Sequence, residues 1–125
     1  MALLMGIDLG TSSLKTIIID EAGEMKALSK RSYRFDSPHS GFAEQDPEVW
    51  WHACQESVRE AIAESGYPAD EIAGISFSGQ MHGLVALDED LRPVRPAILH
   101  CDARSGKQVQ HMRQLLGPQG IQTLV

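Results

Sequence analysis

Three short apolar runs open the chain, at residues 3 to 8, 14 to 20 and 25 to 35, separated by polar and glycine-containing breaks. Runs of this length predict strands. The breaks, Gly10-Thr11-Ser12-Ser13 and "DEAGE" around Gly23, are short enough to be turns, so an antiparallel meander is expected. Residues 36 to 45, "DSPHSGFAEQ", predict a loop. The period then changes. Trp50, Ala53, Cys54, Val58, Ala61 and Ile62 recur at helical spacing. Asp46 reads as the N-cap of that helix, Pro47 as its first residue, Glu48 as favourable to its positive end and Gly66 as its stop. "IAGISFSG", residues 72 to 79, returns to strand, and a helical connection suits a parallel crossover. Residues 84 to 88 and 93 to 99 predict a hairpin around "DEDLRP", with Pro93 and Pro96 confining its second arm to an edge. A last helix is expected over 103 to 116, with Val109, Met112, Leu115 and Leu116 facing inward and Gly117 and Pro118 ending it.

A chain of 125 residues favours one domain with a real core. Its formal net charge of −6 argues against nucleic acid or an anionic membrane as main partner. The basic cluster Lys30, Arg31 and Arg34 alternates as on an exposed strand face. Cys54 and Cys101 lie far apart without Cys-x-x-Cys spacing, and the start carries no signal-peptide pattern. No apolar run reaches membrane-spanning length. A cytoplasmic, reducing setting without a membrane partner is therefore expected. The five histidines show no paired ligand spacing, so zinc is not expected. The tail "QGIQTLV" ends the chain on an apolar segment, and the expectation is a chain cut from a longer protein.

Candidate chemistry begins at "MGIDLGTSSLKTIIID", residues 5 to 20. A simple hairpin needs neither a carboxylate at the end of its first strand nor a lysine just past the turn. One reading is a turn that holds a phosphate through backbone N–H groups and the hydroxyls of Thr11, Ser12 and Ser13. Lys15 adds charge in that reading, and Asp8 faces a metal ion. The other reading is an ordinary polar turn. Neither Gly-x-x-x-x-Gly-Lys-Ser/Thr nor Gly-x-Gly-x-x-Gly is present. Both of those loops lead into a helix, whereas here a strand follows.

The second signal, "SGQMHG" at 78 to 83, stands where a parallel strand should end. Ligands of open α/β sheets bind beyond the carboxyl ends of strands, so Gln80, Met81 and His82 would face a cleft. A tight loop with Met81 as packing competes with that reading. The third and fourth signals are "GFAEQDPEVWW" at 41 to 51 and "RPAILHCDAR" at 95 to 104. Each has a plain structural explanation alone, Asp46 as a cap, Trp50 as core and Asp102 as a second cap.

Asp-x-Gly-Thr-Ser-Ser-x-Lys between two strands resembles the first phosphate motif of the actin, Hsp70 and sugar-kinase superfamily. That resemblance implies an incomplete N-terminal domain of RNase H-like α/β fold. Taken together and in order, the four segments resemble the N-terminal portion of the FGGY carbohydrate kinases, over nearly all of residues 4 to 104. Gln-Met-His-Gly and Glu-Gln-Asp-Pro-x-x-Trp-Trp are most similar to the xylulose kinases within it. His100 stands where the family usually has tryptophan in Trp-x-Asp-x-Arg, which leaves the packing of the sugar wall open.

The resemblance implies an enzyme that uses ATP and Mg²⁺ to phosphorylate D-xylulose, of which residues 1 to 125 are the first part. It implies that Asp8 positions Mg²⁺ and that Thr11, Ser12, Ser13 and Lys15 hold the transferred phosphoryl region. It also implies that Met81 and His82 contact the sugar with Gln80 shaping the loop, and that Asp102 accepts from sugar hydroxyls, with Glu44 a weaker candidate. The family's catalytic aspartate comes from a later segment, so the chain alone is expected to be inactive. A homodimer is left open. The competing readings are another FGGY ketose or polyol kinase, a nucleotide-gated module of the actin or Hsp70 kind, and a non-catalytic binding domain.

Overall fold

The computed structural model describes residues 2 to 122; Met1 and residues 123 to 125, the end of the apolar tail, lie outside the described residues. Strands β1 (Leu3–Leu9), β2 (Ser13–Asp20) and β3 (Met25–Ser32) form the expected antiparallel meander. The second turn closes through Gly23, whose φ of 81° favours glycine. Strand β4 (Glu44–Gln45) precedes helix α1 (Pro47–Ser65), and the Asp46 side chain caps that helix by accepting from the Glu48 N–H at 3.0 Å. Gly66 ends it in the left-handed conformation, φ 72°. The crossover delivers β5 (Ile72–Gly79) parallel to β1, so the sheet order is β3-β2-β1-β5. Strand β6 (Ala97–Ile98) pairs with β4, and α2 (Gly106–Gln122) follows.

Alternation within β1 and β2 sends Leu3, Met5, Ile7, Leu14 and Ile18 to one face, where α1 covers them with Ala53 and Ala61. Small helix residues at that contact let the helix lie close. A polar chain crosses the same interface. Buried Ser57 of α1 donates to Thr16 Oγ1 of β2 at 2.9 Å, and Ser29 of β3 donates to the Ser57 carbonyl at 2.7 Å.

Four expectations change. The third strand stops at Ser32 rather than 35, because Ser32 already faces Ser13, the first residue of β2, and nothing extends the ladder. The 84–99 hairpin is reduced to the isolated bridges Leu84↔Ile98 and Leu87↔Pro93, since Pro93 and Pro96 supply no N–H donor. Helix α2 begins at Gly106 rather than 103; the expected stop does occur at Gly117, whose φ of 67° and ψ of 172° are non-helical, and a further helical segment follows it to Gln122. Val109, Met112, Leu115 and Leu116, expected to face inward, are all at least 40% exposed.

Replacing Ser57 with alanine strands Thr16 and one end of the interface chain, which is expected to cost about 1–3 kcal/mol. Equilibrium unfolding of the Ser57→Ala variant checks this, and a loss well under that range would make the chain incidental.

Candidate active site

Asp8 stands on β1 with Lys15 opposite on β2 and Ser78 opposite on β5. Just beyond it, the Gly10 N–H donates to the Ser13 carbonyl at 3.0 Å. A side chain at residue 10 would meet that same oxygen at 2.9 Å, so the turn requires glycine. The three carbonyls of the turn are tied back from behind. Tyr33 Oη donates to the Gly10 carbonyl at 2.6 Å, Gln45 Nε2 to the Thr11 carbonyl at 3.0 Å and the Tyr33 N–H to the Ser12 carbonyl at 3.0 Å. All peptides here are trans, and a trans peptide points its N–H opposite to its C=O. The Thr11 and Ser12 amides are thereby turned away from their anchors, an arrangement suited to an anion. Burial, with a smaller contribution from the Asp8 charge, pushes the Tyr33 phenol up to about 12, so it stays protonated and donating.

The second loop leaves β5 directly beside this turn. The Gln80 N–H donates to the Leu9 carbonyl at 2.8 Å, and Thr11 Oγ1 donates to Gln80 Oε1 at 3.2 Å. His82 follows at φ 62°, a conformation that costs a non-glycine residue energy and is concentrated at functional sites. Between turn and loop lies a cleft of about 390 Å³ whose walls include Asp8, Thr11, Gln80, Met81, His82 and His100.

The structure thus brings Asp8, Thr11, Gln80, Met81 and His82 together. Ser12 lies in the turn, and Ser13 and Lys15 lie on the adjoining strand, outside the cleft lining. Asp102 is elsewhere. Its side chain is only 2% exposed, and its carboxylate takes both the Ala43 N–H (2.7 Å) and a two-pronged contact from Arg104 (2.8 and 2.7 Å). The Arg104 guanidinium, ahead of the backbone N–H groups, holds the Asp102 carboxyl well below the usual carboxylate range. Glu44 accepts from Arg95 and Arg104, and Arg104 also stacks 3.9 Å over the Phe42 ring. Both carboxylates are paired with arginines.

Sequence reasoning passed over Tyr33 and Gln45, which shape the turn. Tyr33 sat in an apolar run without a local signal, and Gln45, although inside the "GFAEQDPEVWW" segment, was given no role of its own. Asp8 fits a metal that is held by one carboxylate and by phosphate oxygens, the usual manner of Mg²⁺. Among the described residues no group of three or more His, Cys, Asp or Glu could form an all-protein metal site.

Residues 3–124 match the model of the "FGGY family of carbohydrate kinases, N-terminal domain". The chain is 43% identical over 117 residues to a xylulose kinase of Staphylococcus xylosus, covering 94% of this chain and 24% of that protein. It is 45% identical to one of Lactococcus lactis, covering 94% and 23%. A crystal structure of xylulose kinase from Rhodospirillum rubrum superposes with a TM-score of 0.87 at 28% identity, covering 94% of this chain and 24% of that one. The chain therefore spans about a quarter of the length of these relatives.

Because the Asp102 carboxyl is depressed in the folded state, its contribution to stability is complete above its unfolded value of about 3.9. That contribution is lost as the pH falls through the lowered one. Asp102→Asn should therefore be less stable than the parent at neutral pH and lose stability less steeply below about pH 4. Denaturant titrations across that range would sink this assignment if the two slopes coincided.

Proposed function

The chain belongs to the FGGY family of carbohydrate kinases, and on that premise we propose that the whole protein transfers the γ-phosphoryl group of ATP to the 5-hydroxyl of D-xylulose. In this reading residues 1 to 125 are the first part of the catalytic domain. The observation that carries it is the shared cleft: the Asp8 strand end and phosphate turn form one wall, and Met81 and His82 form the facing loop.

Each residue has a chemical task in that reaction. The Thr11 and Ser12 amides, Ser13 and Lys15 receive the transferred phosphoryl region. Asp8 would hold Mg²⁺, through water, against the ATP phosphates; when bound, that ion offsets phosphate charge. His82 hydrogen-bonds ketose hydroxyls, Met81 packs on the carbon skeleton, and Gln80 sets the loop. The sugar hydroxyl gives its proton to a general base in the remainder of the protein, its oxygen bonds to the γ-phosphorus, and the bond to the β–γ bridging oxygen breaks. We assign Asp102 and Glu44 to holding Arg104 and Arg95 rather than sugar. A cytoplasmic setting without nucleic-acid or membrane partners suits this chemistry; among the described residues no helix is long and apolar enough to cross a membrane.

The direct test incubates the whole protein with ATP and a panel of pentuloses and polyols, with product identification. D-xylulose 5-phosphate is expected. Phosphorylation of another sugar with D-xylulose untouched would overturn the substrate, and hydrolysis of ATP without any sugar product would favour a nucleotide-only module. The 125-residue chain alone should transfer no phosphoryl group.

Two substitutions in the whole protein divide the roles. Asp8→Asn should lower kcat on the order of a hundredfold, with the sugar KM little moved, because phosphate charge changes most in the transition state. His82→Ala should cost about 1–3 kcal/mol in kcat/KM for the sugar while ATP affinity stays near the parent's. Steady-state kinetics with each substrate varied in turn reads both.

A further inference from the structure

Gln45 is 1% exposed, the most solvent-excluded polar side chain beside the cleft. Its backbone is fixed by pairing with Ala97, itself fully buried. Its carboxamide is used completely. Nε2 donates to the Thr11 carbonyl at 3.0 Å and to the Arg34 carbonyl at 3.1 Å. Oε1 accepts from the Trp50 indole at 2.6 Å and from Gln80 Nε2 at 3.5 Å. A carboxamide has two donor hydrogens and two acceptor sites, and all four are engaged here.

Two of these contacts, together with the Thr11–Gln80 bond, close a ring. Gln45 holds the Thr11 carbonyl, the Thr11 hydroxyl holds Gln80 Oε1, and Gln80 Nε2 returns to Gln45 Oε1. The ring joins the turn on one wall of the cleft to the loop on the other. Arg34 adds the chain leaving β3, and Trp50 adds the first turns of α1. We propose that Gln45 is a positioning residue that locks the phosphate turn and the 80–82 loop into one rigid unit. Phosphoryl donor and acceptor then meet at a fixed separation.

The chemistry demands glutamine. Glutamate would supply no donor to either carbonyl and would set a buried charge against them. Methionine fills the volume but leaves the Thr11 and Arg34 carbonyls and the Trp50 indole unpartnered. Releasing the Thr11 carbonyl also frees the Ser12 amide, since the two share one peptide plane. An error introduced at Gln45 is therefore passed to both walls of the cleft at once.

The kinetic side of this inference rests on the function proposed above, so the test pairs a kinetic readout with one that needs no activity. In the whole protein, Gln45→Met should raise amide hydrogen exchange in residues 10 to 13 and 79 to 83 together. It should lower kcat on the order of ten- to a hundredfold through misalignment, with both KM values within about threefold of the parent. Faster exchange in only one segment, or in neither, overturns the coupling. A fall in melting temperature with kcat intact also overturns it and leaves Gln45 merely structural.

Should Gln45→Met fail to fold, Trp50→Phe decides, because it removes only the indole donor and keeps an aromatic ring. The same paired rise in exchange is then expected, with kcat lower by about two- to fivefold; parental exchange and kcat in that variant overturn the proposal. If the parent itself phosphorylates no sugar, the functional reading fails while the exchange data still judge the ring.

Discussion

The cleft exists because β1 is hydrogen-bonded antiparallel to β2 on one side and parallel to β5 on the other. Antiparallel pairing with β2 places a tight turn just past the end of β1. Parallel pairing with β5 sets Gly79 beside Leu9, so β5 ends at the same level. Both loops are thereby brought to one end of the sheet, where ligands of α/β folds bind. Any slip of β5 by one residue would turn its side chains to the opposite face and carry the Gln80 amide off the Leu9 carbonyl. Helix α1 makes the crossover between the meander and β5, and its Ala53 and Ala61 join the core cluster of Leu3, Met5, Ile7, Leu14 and Ile18.

Buried polar groups specify the arrangement more narrowly than the apolar core can. A core of Leu, Ile and Ala tolerates small shifts, but a buried donor without an acceptor does not. Ser57 locates α1 against Thr16 and Ser29, while Gln45 locates the turn against the loop. Asp102 does similar work at the next layer. By accepting from the Ala43 N–H it fixes the backbone just ahead of Glu44 and Gln45, and by engaging Arg104 it leads to Glu44. Arg104 is shared between Asp102 and Glu44, so the two carboxylates stand close without a free charge between them.

What the sequence made legible were features whose cause lies within a few residues. The Asp46 cap, the Gly66 stop, the Gly23 turn and the strand-turn-strand around Gly10 each depend on local sterics or one local hydrogen bond, and each occurs as expected. The partners of Gln45 lie at Thr11 and Gln80, and those of Glu44 at Arg95 and Arg104, too far along the chain for spacing to reveal. Asp102 shows the same limit from the other side. The Ala43 N–H from which its carboxylate accepts lies 59 residues earlier in the chain. Helix α2 was legible as a helix, but periodicity says only that a helix has an apolar face and not where that face goes. Val109, Met112, Leu115 and Leu116 on it are exposed.

The position of Asp8 bears on how a phosphate could enter this cleft. The Thr11 hydroxyl has one proton, and Gln80 takes it. In the proposed reaction, anion recognition beside this turn would therefore fall to backbone amides, Ser13 and Lys15, the last paired opposite Asp8 across β1 and β2. Amides oriented by Tyr33 and Gln45 would not swing to follow a misplaced ligand and would select by geometry. Asp8 lines the same cleft and would repel a polyphosphate brought against it. In the proposed reaction that repulsion becomes attraction only when a cation lies between carboxylate and phosphate. In that reaction the carboxylate would disfavour the nucleotide alone and favour its metal complex. That is a physical reason for a kinase to carry an acidic residue beside its phosphate turn.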